Sequence, residues 1–135
     1  MLPKLAKSAM DLGIIMRNPE ACVSFYRDFL GFELEGEVDV LGHHMHRLRC
    51  GDSLLKLLTP QDPPSESNPP GGMRGATGMR YWTMHVSNIE EIFEKCQQSG
   101  HPLAVPLSEI RPGVKIFIIE DPDGNWVEFA QYGQA

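Results

Sequence analysis

The chain has 135 residues, 41% of them hydrophobic and 22% charged, which suits one domain with a single hydrophobic core. Its 18 acidic and 12 basic residues give a formal net charge of −6, which argues against a phosphate-backbone partner because nucleic acid selects basic patches. There is no run of 18 apolar residues, so no transmembrane helix and no membrane partner is expected.

The opening MLPKLAKSAM is too short and broken in its apolar residues for a secretory signal. It reads as an arm running into a first strand over residues 9–17. Asn18-Pro19 then marks a helix start, because Asn can cap free N–H groups and Pro suits the first helical position. Cys22, Phe25, Tyr26, Phe29 and Leu30 follow at the i, i+3, i+4, i+7, i+8 spacing of one helical face. Gly31 supplies the stop. Strands are expected over 32–39, 43–50 and 53–59, with Leu41-Gly42 and Gly51-Asp52 as turns. The first half therefore reads β-α-β-β-β.

Residues 60–78 hold five prolines, four glycines and almost no large apolar side chain, the composition of a linker or mobile loop. A strand is expected over 79–87. Asn88 with Glu91 forms a capping box for a second helix, whose buried face is Ile89, Ile92, Phe93 and Cys96 and whose end is Gly100. Strands follow at 103–107, 113–120 and 125–132, the last two joined by a turn at Pro122, Asp123 and Gly124. Cys22, Cys50 and Cys96 are odd in number and widely spaced. They read as reduced thiols of a cytoplasmic protein, with Cys22 and Cys96 packed in the core.

The two halves repeat one pattern. Asn18 and Asn88 are 88 − 18 = 70 residues apart, and the stops Gly31 and Gly100 are 69 apart. The repeat implies an α+β domain over 1–135: module one at 9–59, a linker at 60–78 and module two at 79–132. Two βαβββ modules would form a curved mixed sheet around a central cleft, with the helices on its outer face.

Three stretches carry a family resemblance: NPEACVSFYRDFLGFELEGE (18–37), MHVSNIEEIFEKCQQSGHPL (84–103) and FIIEDPDGNWVEFAQ (117–131). With their F-Y-x-x-x-L-G-F and D-P-D-G-N-x-x-E patterns, they resemble the vicinal-oxygen-chelate superfamily of glyoxalases, bleomycin resistance proteins and dioxygenases. The resemblance implies paired βαβββ modules, a homodimer and a small-molecule ligand. It also implies a divalent metal held by one side chain from the first and one from the last strand of each module. By motif these positions fall on Asp11, Lys56, Tyr81 and Glu128. Only Glu128 keeps a usual ligand identity, so the usual ligand set is not intact: an ammonium has no lone pair and repels a cation.

Two arrangements follow from these residues. In one, Lys56 stands where the metal would and neutralises Asp11 and Glu128, with Tyr81 as hydrogen-bond donor. In the other, a relocated metal site uses His44, His46, His85 and Glu128, since His44 and His46 share a strand face. The plainer reading of the histidines is a solvated hairpin and a core residue at His85. Trp126 shares Glu128's face by alternation and would line a cavity, or simply pack.

The resulting expectation is a glyoxalase-like lyase or isomerase acting on an oxygen-rich small molecule. Glu128 would be the general base or a ligand, with Tyr81 and Lys56 polarising an oxygen. A non-catalytic binding or resistance protein is the alternative, and a metal-dependent dioxygenase with displaced ligands comes third.

Overall fold

A computed structural model describes residues 1–133. The chain divides into two compact units, Met1–Ser67 and Asn68–Ala135. The first holds β1 (Leu12–Ile15), α1 (Pro19–Val23), β2 (Glu33–Val40), β3 (His43–Cys50) and β4 (Ser53–Thr59). The second holds β5 (Tyr81–His85), α2 (Ile89–Ser99), β6 (Leu103–Arg111), β7 (Val114–Glu120) and β8 (Trp126–Tyr132). Each is thus a βαβββ unit with a four-stranded mixed sheet, in the orders β1-β4-β3-β2 and β5-β8-β7-β6. The shared order bears out the α+β fold and the repeat seen in the sequence.

In each sheet the first strand pairs parallel with the last. The helix after that first strand provides the crossover such a pair requires. Leu48, Leu55 and Leu57 are buried in the first unit together with Met16, Cys22, Val23, Phe25 and Tyr26. In the second, Phe93 of α2 meets Phe117 edge-on at 5.2 Å and Phe117 stacks on Phe129 at 4.7 Å. These contacts set the helix-covered face of the second sheet. The opposite face carries an apolar cluster of Val114, Ile116, Ile118 and Ala130, with Trp126 packed against it.

Both helices begin where the sequence places them, but neither asparagine side chain makes a cap hydrogen bond. At Asn88 the side chain donates to Glu91 Oε2 at 3.2 Å. The backbone amide of Ile89 instead donates to Gln131 Oε1 from β8 at 2.9 Å, so a tertiary partner takes the capping role. Gly100 adopts φ +84° at the end of α2, the left-handed conformation glycine accepts most readily. After Val23 the first helix widens into a π-helical turn over Ser24–Phe29, and Leu30 N–H reaches Phe25 O at 2.9 Å. This i→i−5 step still buries Phe25 and Tyr26.

Two further differences have local causes. β6 runs to Arg111, past the expected end at 107, because an edge strand tolerates Pro106 and three register irregularities. Within 60–78, Gly72–Arg74 forms a 3₁₀ turn. Arg80 holds this stretch by donating to Gly72 O at 2.6 Å, Pro69 O at 2.6 Å and Asn68 Oδ1 at 3.0 Å. Gly72 lies against the Trp126 ring with φ +53°, leaving no room for a Cβ.

The turn before β8 is organised by Asp121, which is only 3% exposed. Its carboxylate accepts from the amides of Asp123 and Asn125 and from Asn125 Nδ2, each at 2.9 Å. These donors saturate a group that would otherwise be a costly buried charge. Asp121→Ala is therefore expected to lower stability by about 2–3 kcal/mol through the stranded amides, measured as the shift in the urea unfolding midpoint at unchanged m-value.

Candidate functional site

The parallel strand pairs place the expected functional positions. Gly13 lies opposite Lys56 on β1–β4, and Thr83 lies opposite Glu128 on β5–β8. Gly13 and Thr83 are 83 − 13 = 70 residues apart, the same offset as the two helix starts. Lys56 and Glu128 therefore hold equivalent positions in the two units. Asp11 and Tyr81 each precede these first-strand residues by two.

The side chains at the equivalent positions behave differently. In the second unit Thr83 Oγ1 donates to Glu128 Oε1 at 2.6 Å. In the first unit the matching residue is glycine and offers no such donor. Lys56 Nζ lies instead 4.0 Å from Asp11 Oδ2. Asp11 also accepts Lys7 Nζ at 2.6 Å and the Leu54 amide at 3.1 Å. The Lys7 hydrogen bond, more than the Leu54 amide, holds the Asp11 carboxyl below the usual aspartate range against a smaller opposing effect of burial. Asp11 lines an open polar depression of about 460 Å³ with Lys7, Glu35, Arg47 and Arg49.

The Asp11–Lys56 part of the expected ion cluster is thus present within the first unit. Tyr81 opens β5 at 46% exposure. Trp126 is engaged by the apolar cluster and by Gly72. His85 is exposed, and its ring lies 5.3 Å from that of Tyr132 at a tilt of 35°, so it is a surface residue rather than a core histidine.

At Asp11 and Lys56, two of the positions where the family resemblance places metal ligands, the side chains do not suit a divalent ion. Lys56 brings a cation there, and the Asp11 carboxylate is already shared among two ammonium groups and an amide.

The β2–β3 hairpin carries a second constellation. Glu37 lies directly opposite His46, and Asp39 opposite His44. His44 Nε2 lies 2.7 Å from Glu37 Oε1, and His44 Nδ1 lies 2.9 Å from Asp39 Oδ1. His46 Nε2 is 3.3 Å from the same Glu37 oxygen. Asp39 and then Glu37 raise the pKa of His44, whereas burial lowers that of His46 despite Glu37. The hydrogen bond from His44, then the charge of His46, hold Glu37 below the usual glutamate range. The sequence reading found the two histidines but missed Glu37. The signal lies in the structure: a register shift between Leu34 and Gly36, a β-bulge that re-aims the residues beyond it.

The family model of the Glyoxalase/Bleomycin resistance protein/Dioxygenase superfamily matches residues 10–129. No curated protein matches the chain. A glyoxalase family protein from Bacillus cereus is similar at TM-score 0.80 and 18% identity, over 98% of this chain and 97% of that one. Lactoylglutathione lyase from Agrobacterium tumefaciens is similar at TM-score 0.67 and 24% identity, over 94% and 96%. TioX from Micromonospora sp. ML1 is similar at TM-score 0.69 and 19% identity, over 93% and 98%. At these identities the solved structures establish a shared fold.

The Asp11 contacts generate a pH test. A carboxyl whose folded pKa is depressed contributes stability above its unfolded value and loses it as pH falls through the folded one. The Asp11 side-chain carbon resonance should titrate with a midpoint below the ordinary 3.8, and Lys7→Ala should move that midpoint up. A midpoint unmoved by Lys7→Ala would remove Lys7 as the cause.

Proposed function

Because the chain belongs to the Glyoxalase/Bleomycin resistance protein/Dioxygenase superfamily, we propose that it binds an oxygen-rich small molecule and acts on it as a lyase or isomerase, with Glu128 as general base. The observation that carries this reading is the fixing of Glu128 by Thr83 at 2.6 Å through one carboxylate oxygen. Its other oxygen has no hydrogen bond among the described residues. A carboxylate oriented through one oxygen and open at the other is suited to take a proton from carbon beside a carbonyl. The apolar face on which Glu128 sits, opposite Ile118, favours proton transfer by limiting competing water. Tyr81, two residues before Thr83 on the same strand, is the proposed hydrogen-bond donor to the developing oxyanion. Lys56, whose Nζ lies 4.0 Å from Asp11 Oδ2, is proposed as a carboxylate anchor.

The superfamily lends support to a homodimer and to cytoplasmic residence, and both belong to this proposal. Among the described residues no helix is long and apolar enough to cross a membrane.

A second reading, non-catalytic ligand binding, is favoured by the Asp11–Lys56 pair, which stands where the family resemblance implies metal ligands. One experiment separates the two. The protein is incubated in D₂O with a panel of small α-hydroxy carbonyl compounds, and deuterium incorporation beside the carbonyl is followed by proton NMR. The enzyme reading expects incorporation that falls roughly 10²–10⁴-fold in Glu128→Gln and less in Thr83→Val. Tryptophan fluorescence quenching by the same compounds without incorporation supports the binding reading instead.

A further inference from the structure

We infer that Glu37, His44 and His46 form a binding site for a divalent transition-metal ion of the zinc class, with Asp39 as the outer carboxylate that orients His44. The site is independent of the reading above. Lys56 pairs with Arg47, whereas His46 pairs with Leu57, so the histidines and Lys56 lie on opposite faces of the first sheet.

Geometry carries the inference. One ligand atom from each of the three residues falls within 4.8 Å of the others. Two of the separations are 2.7 and 3.3 Å, both to Glu37 Oε1. Around a tetrahedral zinc with bonds near 2.0–2.1 Å, neighbouring ligand atoms stand roughly 3.3 Å apart. Small side-chain rotations therefore suffice to place a cation among the three groups. In such a site His44 coordinates through Nε2, while its Nδ1–H keeps the 2.9 Å bond to Asp39. That is the carboxylate–histidine–metal relay that fixes a ligand's tautomer and orientation.

The surroundings suit the ion. Glu37 and His44 side chains are 47% and 43% exposed, so an ion can enter and a water can complete the coordination. Arg27, the cation whose charge reaches both Glu37 and His46, is held by Asp28 through bonds of 2.9 and 3.0 Å. Two imidazoles and one carboxylate select zinc, cobalt, nickel or copper over magnesium and calcium, which take oxygen ligands. All three ligands lie on the adjacent strands β2 and β3, so the ion would staple the hairpin.

The bulge makes the site possible. Leu34 pairs with Leu48, and the shift then sets Gly36 opposite Arg47 and Glu37 opposite His46. An unshifted ladder would have continued with Glu35 opposite Arg47 and Gly36 opposite His46, aiming Glu37 at the other face.

The test uses the full chain and metal alone. Cobalt(II) is titrated in while visible d–d absorption is recorded, and zinc is titrated while the melting temperature is followed. About one equivalent of cobalt should bind with a ligand-field spectrum, and zinc should raise the melting temperature. Glu37→Gln at an exposed position and His44→Gln at a half-buried one should abolish the two signals. Asp39→Asn, which removes no ligand, should weaken affinity about 10–100-fold. Asp11→Asn and Glu128→Gln should leave both signals intact. Failure of the wild-type protein to bind either metal, equal binding by the Glu37 and His44 variants, or loss of binding in the Asp11 or Glu128 variants would each overturn the inference.

Discussion

The parallel pairing of the first strand with the last within each half is the constraint on which the functional geometry depends. It brings two segments separated by more than 40 residues, such as Gly13 with Lys56 and Thr83 with Glu128, into direct register. Residues paired in this way project from the same sheet face, so the chemistry of one strand's side chain decides what its neighbour can do. Where the first strand offers threonine, the glutamate is fixed by a short hydrogen bond. Where it offers glycine, the lysine reaches along the strand to an aspartate. One architecture used twice thus presents opposite charges at equivalent positions.

That asymmetry also governs metal chemistry. A carboxylate at one equivalent position is a competent ligand, whereas an ammonium at the other both lacks a lone pair and opposes a cation. The opposite face of the first sheet has neither handicap. There a bulge in β2 turns Glu37 and Asp39 towards two histidines of β3. One sheet therefore carries Lys56 on one face and the Glu37, His44 and His46 group on the other, across a single backbone layer.

Much of the fold was legible because its signals are local. Asn-Pro and Asn88 marked helix starts, Gly31 and Gly100 marked helix ends, and apolar periodicity marked the buried faces. What was not legible depends on partners distant in sequence. Gln131 replaces the asparagine cap at Ile89, and Arg80 holds a proline-rich stretch that reads as loop from composition alone. Around the site, motif carry-over found Asp11 and Lys56, which do meet. Simple alternation could not find Glu37, because strict period-two counting from Leu34 assigns it to the wrong face; only the bulge reverses that. Trp126 and His85 show the complementary limit: the facing of Trp126 was readable, but the Gly72 turn against it and the Tyr132 ring beside an exposed His85 were not.

We propose that the β2–β3 hairpin accepts a divalent ion, whereas the Lys56 ammonium keeps one from the position beside Asp11. Anomalous diffraction at the zinc absorption edge, from crystals of the intact protein grown with zinc, tests this most directly because it locates the ion without reference to activity. An anomalous peak is expected among Glu37, His44 and His46 and none beside Glu128. A peak against Glu128 or between Asp11 and Lys56, with the hairpin empty, would contradict it.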